Sequence, residues 1–89
     1  MRAMKDFEYI PTDDGEGIAV VNMKSFYELA YKEAMAMTKT ELLHEMELIR
    51  TERNKCAKRG DREGEAIFTA ELYGLMDCYL HSDYLRGSL

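Results

Sequence analysis

The sequence predicts a mainly helical α+β domain, in which an N-terminal β-hairpin precedes three helices and the last two helices form an antiparallel pair turning at Gly60. Three observations support this prediction. Apolar residues recur at helical spacing after residue 22, turn-forming residues crowd positions 11–17 between two extended runs, and Gly60 separates a basic segment from an aspartate that can cap a helix. We expect residues 1–89 to form a single domain.

Residues 6–21 are predicted to form the β-hairpin. Phe7 and Tyr9 alternate with Glu8, and the second run, at 18–21, is rich in β-branched residues. The sequence PTDDGEG between the two runs favours a turn. A lone two-stranded ribbon is only marginally stable in water, so its apolar face is expected to lie on the helices or on a second subunit.

The first helix is predicted over residues 22–37, with Asn22 as its N-cap. Apolar and charged residues fall on opposite sides of this segment, which is the pattern of an amphipathic helix. Its apolar stripe consists of Met23, Phe26, Tyr27, Ala30, Tyr31, Ala34 and Met37. Thr38 and Glu41 then have the spacing of a capping box, so a new helix is expected to begin there.

The second helix is predicted over residues 40–58. Its apolar stripe consists of Leu42, Met46, Ile49 and Cys56. Arg53 falls on the same side, so its stem is expected along the edge of the core with the guanidinium reaching outwards, whereas Leu48 lies off the stripe and is expected to be exposed. Gly60 is a natural C-cap for this helix.

The third helix is predicted over residues 62–84, with Asp61 as its cap, and it is the most hydrophobic element. One face carries Phe68, Leu72, Leu75 and Tyr79, and another carries Ile67, Ala70, Gly74 and Cys78. A helix that is apolar on two faces is central in its fold or shared with a second subunit, which predicts a homodimer. Because glycine costs about 1 kcal/mol relative to alanine inside a helix, Gly74 predicts the close approach of another backbone.

The two cysteines, Cys56 and Cys78, are predicted to be reduced thiols. With a turn at Gly60, they lie about 13 residues out of register, on the order of 20 Å at 1.5 Å per residue, which exceeds the reach of a disulfide. No run of the sequence has the length and apolar content of a membrane helix, and the N-terminus lacks the apolar centre of a secretory signal. We therefore expect a cytoplasmic protein.

The formal charge of −5 is unevenly distributed along the chain. The window 50–62 holds six cations and two acids, so it carries +4 and leaves −9 on the remaining residues. We call its cations the basic tip: Arg50, Arg53, Lys55, Lys58, Arg59 and Arg62. Two interpretations stay open. The basic tip binds nucleic-acid phosphates or an acidic protein patch, or it balances helix dipoles and pairs with Glu52, Glu63 and Glu65.

The segment between the predicted strands is acidic, with Asp13, Asp14 and Glu16. It invites a calcium interpretation but lacks the alternating oxygen ligands and the distal glutamate of an EF-hand loop, and Lys24 stands near where that glutamate would fall. A solvated turn is the simpler interpretation, and the same residues are a second candidate contact surface.

One set of residues has ligand chemistry that suits zinc. The predicted register places His44 near Asp77 and Cys78, with His81 one turn further along the same helix. No CxxC or HxxxH spacing supports a metal site, so the question stays open and we expect no cofactor. The sequence also has no glycine-rich phosphate loop, GxSxG or HExxH motif, and Cys56 falls on a core-facing stripe, so we expect no enzymatic activity.

Part of the helical pair resembles a known family. The segments LLHEMELIR (42–50), AKRG (57–60) and TAELYGLMDCY (69–79) are similar to the small sporulation-regulating aspartyl-phosphate phosphatases. Those proteins are helical hairpins that carry a Ser-Gln-Glu-Leu-Asp motif on the second helix and dephosphorylate a response regulator. The corresponding residues here read Thr-Ala-Glu-Leu-Tyr, with Tyr73 replacing the acidic residue. The resemblance implies a regulator whose catalytic motif is degenerate.

The composition favours a small acidic, non-enzymatic binding protein that regulates or inhibits a macromolecular partner. Seven methionines and six tyrosines supply adaptable contact residues. Chains of this class include phage and mobile-element accessory proteins such as inhibitors of host defence nucleases. The predicted contact residues are Arg53, Lys58, Arg59 and Arg62 together with Asp13, Asp14 and Glu16. The alternatives are a phosphatase-like regulator of a response regulator and a nucleic-acid binder that uses the basic tip.

Overall fold

A computed structural model describes residues 6–11 and 18–81, and it has the predicted architecture. Two antiparallel strands precede three helices, so the predicted fold class is confirmed. The elements are β1 (Glu8–Pro11), β2 (Ile18–Val21), α1 (Met23–Ala34), α2 (Lys39–Arg59) and α3 (Arg62–His81). Residues 82–84, which were expected to continue the last helix, lie outside the described residues.

The first helix ends at Ala34 rather than at residue 37 as predicted. The N–H of Ala36 donates to the carbonyl of Glu33, and the N–H of Met37 donates to that of Ala34. These hydrogen bonds span three residues instead of the four of an α-helix, so the chain leaves the α-helical conformation here. The helical spacing of apolar residues extends to residue 37 in the sequence because Met37, in the turn that follows α1, still packs against the core. α2 extends one residue beyond the prediction at each end.

Side chains fix the beginnings of α1 and α2 as the sequence predicted. Asn22 Oδ1 accepts a hydrogen bond from the N–H of Ser25 at 2.9 Å. Thr38 Oγ1 accepts from the N–H of Glu41 at 3.2 Å, while Glu41 Oε1 accepts from the N–H of Thr38 at 2.9 Å, which completes the capping box. The hydrogen bonds from the Thr38 backbone and side chain hold the pKa of Glu41 below its usual range.

The turn between α2 and α3 is built around Gly60, as predicted. Gly60 has φ 76°, a left-handed conformation that a residue with a Cβ adopts only at a cost. The N–H of Asp61 donates back to the carbonyl of Cys56 at 2.8 Å, which satisfies the end of α2. The Asp61 carboxylate accepts from the N–H of Gly64 at 3.0 Å and so caps α3.

α3 is the centre of the fold, as its two apolar faces indicated, whereas the homodimer predicted from the same two faces stays a prediction. Both other helices pack along it, and both strands contact it. Six of its residues are buried: Ala70, Leu72, Gly74, Leu75, Asp77 and Cys78. The main core cluster lies where all three helices meet and consists of Ala30, Ala34, Leu42, Leu75 and Cys78.

Gly74 lies directly against α1, as its place in the sequence predicted. A Cβ built on Gly74 would overlap the carbonyl oxygen of Tyr27 and would lie 3.0 Å from both the Ala30 Cβ and the backbone nitrogen of Tyr31. Residues in the middle of α1 and near the middle of α3 therefore approach at backbone distance. Only glycine leaves room for this approach.

A buried acid on α3 is paired with a tyrosine of α1. The Tyr27 hydroxyl donates to Asp77 Oδ2 at 2.6 Å, and both residues are 2% exposed. A buried carboxyl without a donor would be costly, so this hydrogen bond explains how Asp77 is tolerated between apolar neighbours. The predicted register placed Asp77 near His44 and gave no indication of its contact with Tyr27.

The two-stranded ribbon covers α3 with one face and leaves its other face exposed. Ile10 and Val21 are 8% and 2% exposed and lie on the covered face. Tyr9 pairs with Val20 across the ribbon, and Phe7 precedes Tyr9 on the same side. These three residues, the outer ribbon face, are 47% (Phe7), 69% (Tyr9) and 54% (Val20) exposed.

The molecule is elongated, with principal extents of 52 × 24 × 15 Å. Its radius of gyration of 14.2 Å exceeds the value of about 12 Å for a compact chain of this length. Leu48 is 47% exposed, as predicted. Within residues 6–11 and 18–81, no helix combines the length and apolar content that crossing a membrane requires.

Candidate interaction surface

The basic tip lies along the last turns of α2 and the first turn of α3. Half of its cations are neutralised by nearby acids. The pairs are Arg50 with Glu47 at 2.9 Å, Lys55 with Glu52 at 3.4 Å and Arg59 with Asp61 at 3.7 Å. Of the acids that were expected to pair with the tip, Glu52 does so with Lys55, whereas Arg50 and Arg59 pair with Glu47 and Asp61, which were not named as partners. Glu63 and Glu65, which were also expected to pair with the tip, form no ion pair within the described residues.

The other three cations, Arg53, Lys58 and Arg62, form no ion pair with any residue that the structure describes. Arg53 is partly buried on the side of α2 that faces α3, in agreement with its predicted position, and Lys58 and Arg62 are exposed. These residues surround the end of the molecule rather than lining one face, because Lys58 is about 140° around the α2 axis from Arg53. Three of the four predicted cationic contact residues therefore remain available to a partner.

Arg59, the fourth predicted contact residue, is engaged within the molecule. Its Nη2 lies 3.4 Å from Cys56 Sγ, in addition to its ion pair with Asp61. Cys56 is 2% exposed, and burial raises the pKa of its thiol, although the charge of Arg59 opposes this effect. Cys56 is therefore a packed thiol, as predicted from its position on the α2 stripe. Cys78 is fully buried, and neither cysteine is in a disulfide.

The acidic contact surface predicted at Asp13, Asp14 and Glu16 lies outside the described residues, so it stays a prediction. The proposed metal ligands can be placed. His44 and His81 are exposed, whereas Cys78 has no exposed surface. Among the residues that the structure describes, no three His, Cys, Asp or Glu side chains come close enough to share a metal ion.

The α3 segment that carries the phosphatase resemblance contributes mainly to packing. Ala70 and Leu72 are buried, and Glu71 between them is partly buried. Burial raises the pKa of Glu71, and the nearby carboxylates of Glu33 and Glu45 raise it further. The three acids come from three different helices, so their proximity was not visible in the sequence.

A shallow groove beside the basic tip joins the ribbon to the start of α3. The residues that line it include Glu8, Tyr9, Arg62 and Glu65. Residues 50–62 contain no aromatic residue, and the fold brings Tyr9 to this end from a distant part of the chain. The alternation of Phe7 with Tyr9 placed both on one side of a strand, but it did not reveal that this side is exposed.

Comparison with models of protein families, with curated proteins and with solved structures finds no match to this chain. The resemblance of residues 42–79 to the sporulation phosphatases therefore gains no support from these comparisons. The class of protein that the observations define is a small helical protein with a partly uncompensated basic end.

Proposed function

We propose that this chain is a non-enzymatic binding protein that regulates or inhibits a macromolecular partner, and that it contacts this partner through the basic tip. The main supporting observation is that Arg53, Lys58 and Arg62 form no ion pair within the described residues. The negative end of the α2 dipole is complemented by Lys58 and Arg59 in its last turn. Arg53 and Arg62 lie outside that turn and therefore supply positive charge beyond what this helix end requires.

An acidic protein surface is the partner chemistry that we favour. In a chain of net charge −5, a positive end attracts an acidic surface while the rest of the chain repels it, which orients the encounter. Nucleic acid is the alternative. It is less well matched because nucleic-acid binding depends on contacts to several phosphates, and three of the six tip cations already pair with acids. The proposed setting is the cytoplasm, and the proposed class is a phage or mobile-element accessory protein such as an inhibitor of a host defence nuclease.

The test is affinity capture from a lysate of the source cells with the tagged protein and two matched variants. Arg53→Gln combined with Lys58→Gln removes two positive charges from the basic tip. Lys24→Gln combined with Lys32→Gln removes two from exposed positions of α1. We expect the wild type and the α1 variant to enrich the same protein, and the tip variant to bind it about tenfold more weakly, which is 1.4 kcal/mol.

The proposal fails if no protein is enriched over a charge-matched control, or if both variants lose the partner equally. A gel-shift measurement with DNA and RNA at low salt, where phosphate contacts are strongest, separates the alternative. If the wild type shifts DNA or RNA and the tip variant does not, the partner is a nucleic acid rather than a protein. Incubation with a phosphorylated response regulator completes the test, and we expect its rate of dephosphorylation to be unchanged.

A further inference from the structure

We propose that the outer ribbon face, Phe7, Tyr9 and Val20, is the site at which a second copy of this chain docks, with Arg62 and Glu65 forming reciprocal ion pairs at its margin. This inference goes beyond the proposed function. It concerns how the protein assembles with itself, and it does not depend on Arg53 or Lys58.

The first argument is the continuity of the apolar surface. Tyr9 and Val20 are directly opposite each other in the ribbon, and Phe7 lies on the same side. Phe7 also shares a shallow groove with Leu29 of α1, which is 54% exposed. Half of the large apolar side chains that are exposed in the described part of the chain thus lie on or beside the ribbon. A cluster of this kind marks an interaction site more often than scattered single residues do.

The second argument is area. An aromatic side chain carries about 150–250 Å², so Phe7 and Tyr9 together expose about 250 Å² at the fractions observed. A standard interface buries about 800 Å² on each partner. The outer ribbon face therefore supplies about a third of this area, which is enough for an apolar centre. The flanking grooves on α1 and α3 extend the contact.

The third argument is charge, and it identifies the occupant. Arg62 and Glu65 both line the groove beside Tyr9, and neither forms an ion pair within residues 6–11 and 18–81. A two-fold interface pairs residue i of one copy with residue j of the other and j with i, so an axis that passes beside this groove brings Arg62 of each copy to Glu65 of the other. A nucleic acid or a uniformly acidic protein would leave Glu65 facing like charge. A second copy satisfies both residues.

The fold also explains why the ribbon benefits from such a contact. Two strands of four residues have one face on α3 and the other in water. Ribbons of this size gain stability when a second layer or additional strands cover them. A symmetric dimer would provide this cover.

The experiment is sedimentation velocity on the isolated full chain, from about 1 μM to about 500 μM, which brackets the affinity expected of a small interface. Tyr9→Lys combined with Val20→Lys places charge at the centre of the outer ribbon face. Leu43→Lys combined with Leu48→Lys makes the same chemical change on exposed positions of α2. We expect the wild type and the α2 variant to form dimers, and the dissociation constant of the ribbon variant to rise by about a hundredfold or more.

Charge reversal tests the two-fold pairing. Arg62→Glu and Glu65→Arg should each weaken the dimer by about tenfold, because each places like charges together. The double variant should recover most of this loss. Circular dichroism of every variant confirms that the helices are retained.

A wild type that stays monomeric throughout the concentration range overturns the inference. So does a dimer that survives the ribbon substitutions but is lost in the α2 variant, since the contact would then lie on the helices. Failure of the double charge reversal to restore association would refute the reciprocal ion pairs. Because these measurements use the isolated protein, their outcome is independent of whether the basic tip binds a partner.

Discussion

Replacing Gly74 with alanine tests the contact on which the packing of α1 against α3 depends. The added Cβ would overlap the Tyr27 carbonyl oxygen and press on Ala30 and on the Tyr31 backbone nitrogen. Two of these three neighbours are main-chain atoms within a helix, so they cannot rotate away as the end of a flexible side chain would. The two helices must move apart for the methyl group to fit.

Two opposing contributions determine the size of the effect. Alanine is favoured over glycine inside a helix by about 1 kcal/mol. Overpacking a close contact costs about 1–3 kcal/mol, and the rigid neighbours of Gly74 place this site at the upper end. We therefore expect a net loss of about 2 kcal/mol. For a domain of this size, this is a large part of a stability of about 4–13 kcal/mol, and it lowers the melting temperature by about 8–16 °C.

The assay is urea unfolding followed by far-ultraviolet circular dichroism, with all variants at the same protein concentration. Ala57→Gly, at an exposed position of α2, is the control because it reports helix propensity alone and should cost about 1 kcal/mol. Helix propensity by itself predicts that Gly74→Ala is stabilising. If the variant proves more stable than the wild type, α1 does not approach α3 as described, and the reasoning is wrong.

Two further predictions concern polar groups on α3. Because burial raises the folded-state pKa of Glu71, the stability of the wild type should fall as the pH rises through that pKa. Glu71→Gln, which cannot ionise, should therefore be more stable than the wild type at pH 7. The difference in stability should vanish well below pH 4.5, where the wild-type carboxyl is protonated in both the folded and the unfolded state. An unfolding series over pH that shows the opposite order at neutral pH would contradict this. Tyr27→Phe removes one hydrogen-bond donor from buried Asp77 and should cost about 1–3 kcal/mol in the same assay. Tyr31→Phe on the same helix is the control, and an equal loss there would show that the hydrogen bond contributes nothing specific.

The sequence predicted many of the residues that belong to the candidate site, but it did not predict how they are arranged. The sequence located the basic tip and the stripe that carries Arg53 and Cys56. It did not show which cations pair with acids, because an ion pair depends on side-chain direction as well as on spacing. It also did not predict that Tyr9 lies near Arg62, because no interaction between neighbouring residues links a strand near the N-terminus to the start of α3.

The sequence by itself determined the features that depend on neighbouring residues. The capping box at Thr38, the left-handed turn at Gly60 and the cap at Asp61 all close through hydrogen bonds within a few positions, so residue type and spacing are sufficient to predict them. The close approach at Gly74 was also predictable, because a glycine inside an apolar helix has few other physical explanations.

Only the tertiary structure decided which surfaces are covered. Tyr27 and Asp77 are 50 positions apart, and their hydrogen bond depends on the rotation of two helices about their axes. The same holds for the ribbon, because alternation placed Phe7 and Tyr9 on one face, but only the structure shows that the opposite face, with Ile10 and Val21, is the buried one. The spacing of apolar residues identifies the apolar face of a helix or strand but not the element that covers it. Which element covers the face depends on the packing of the whole chain.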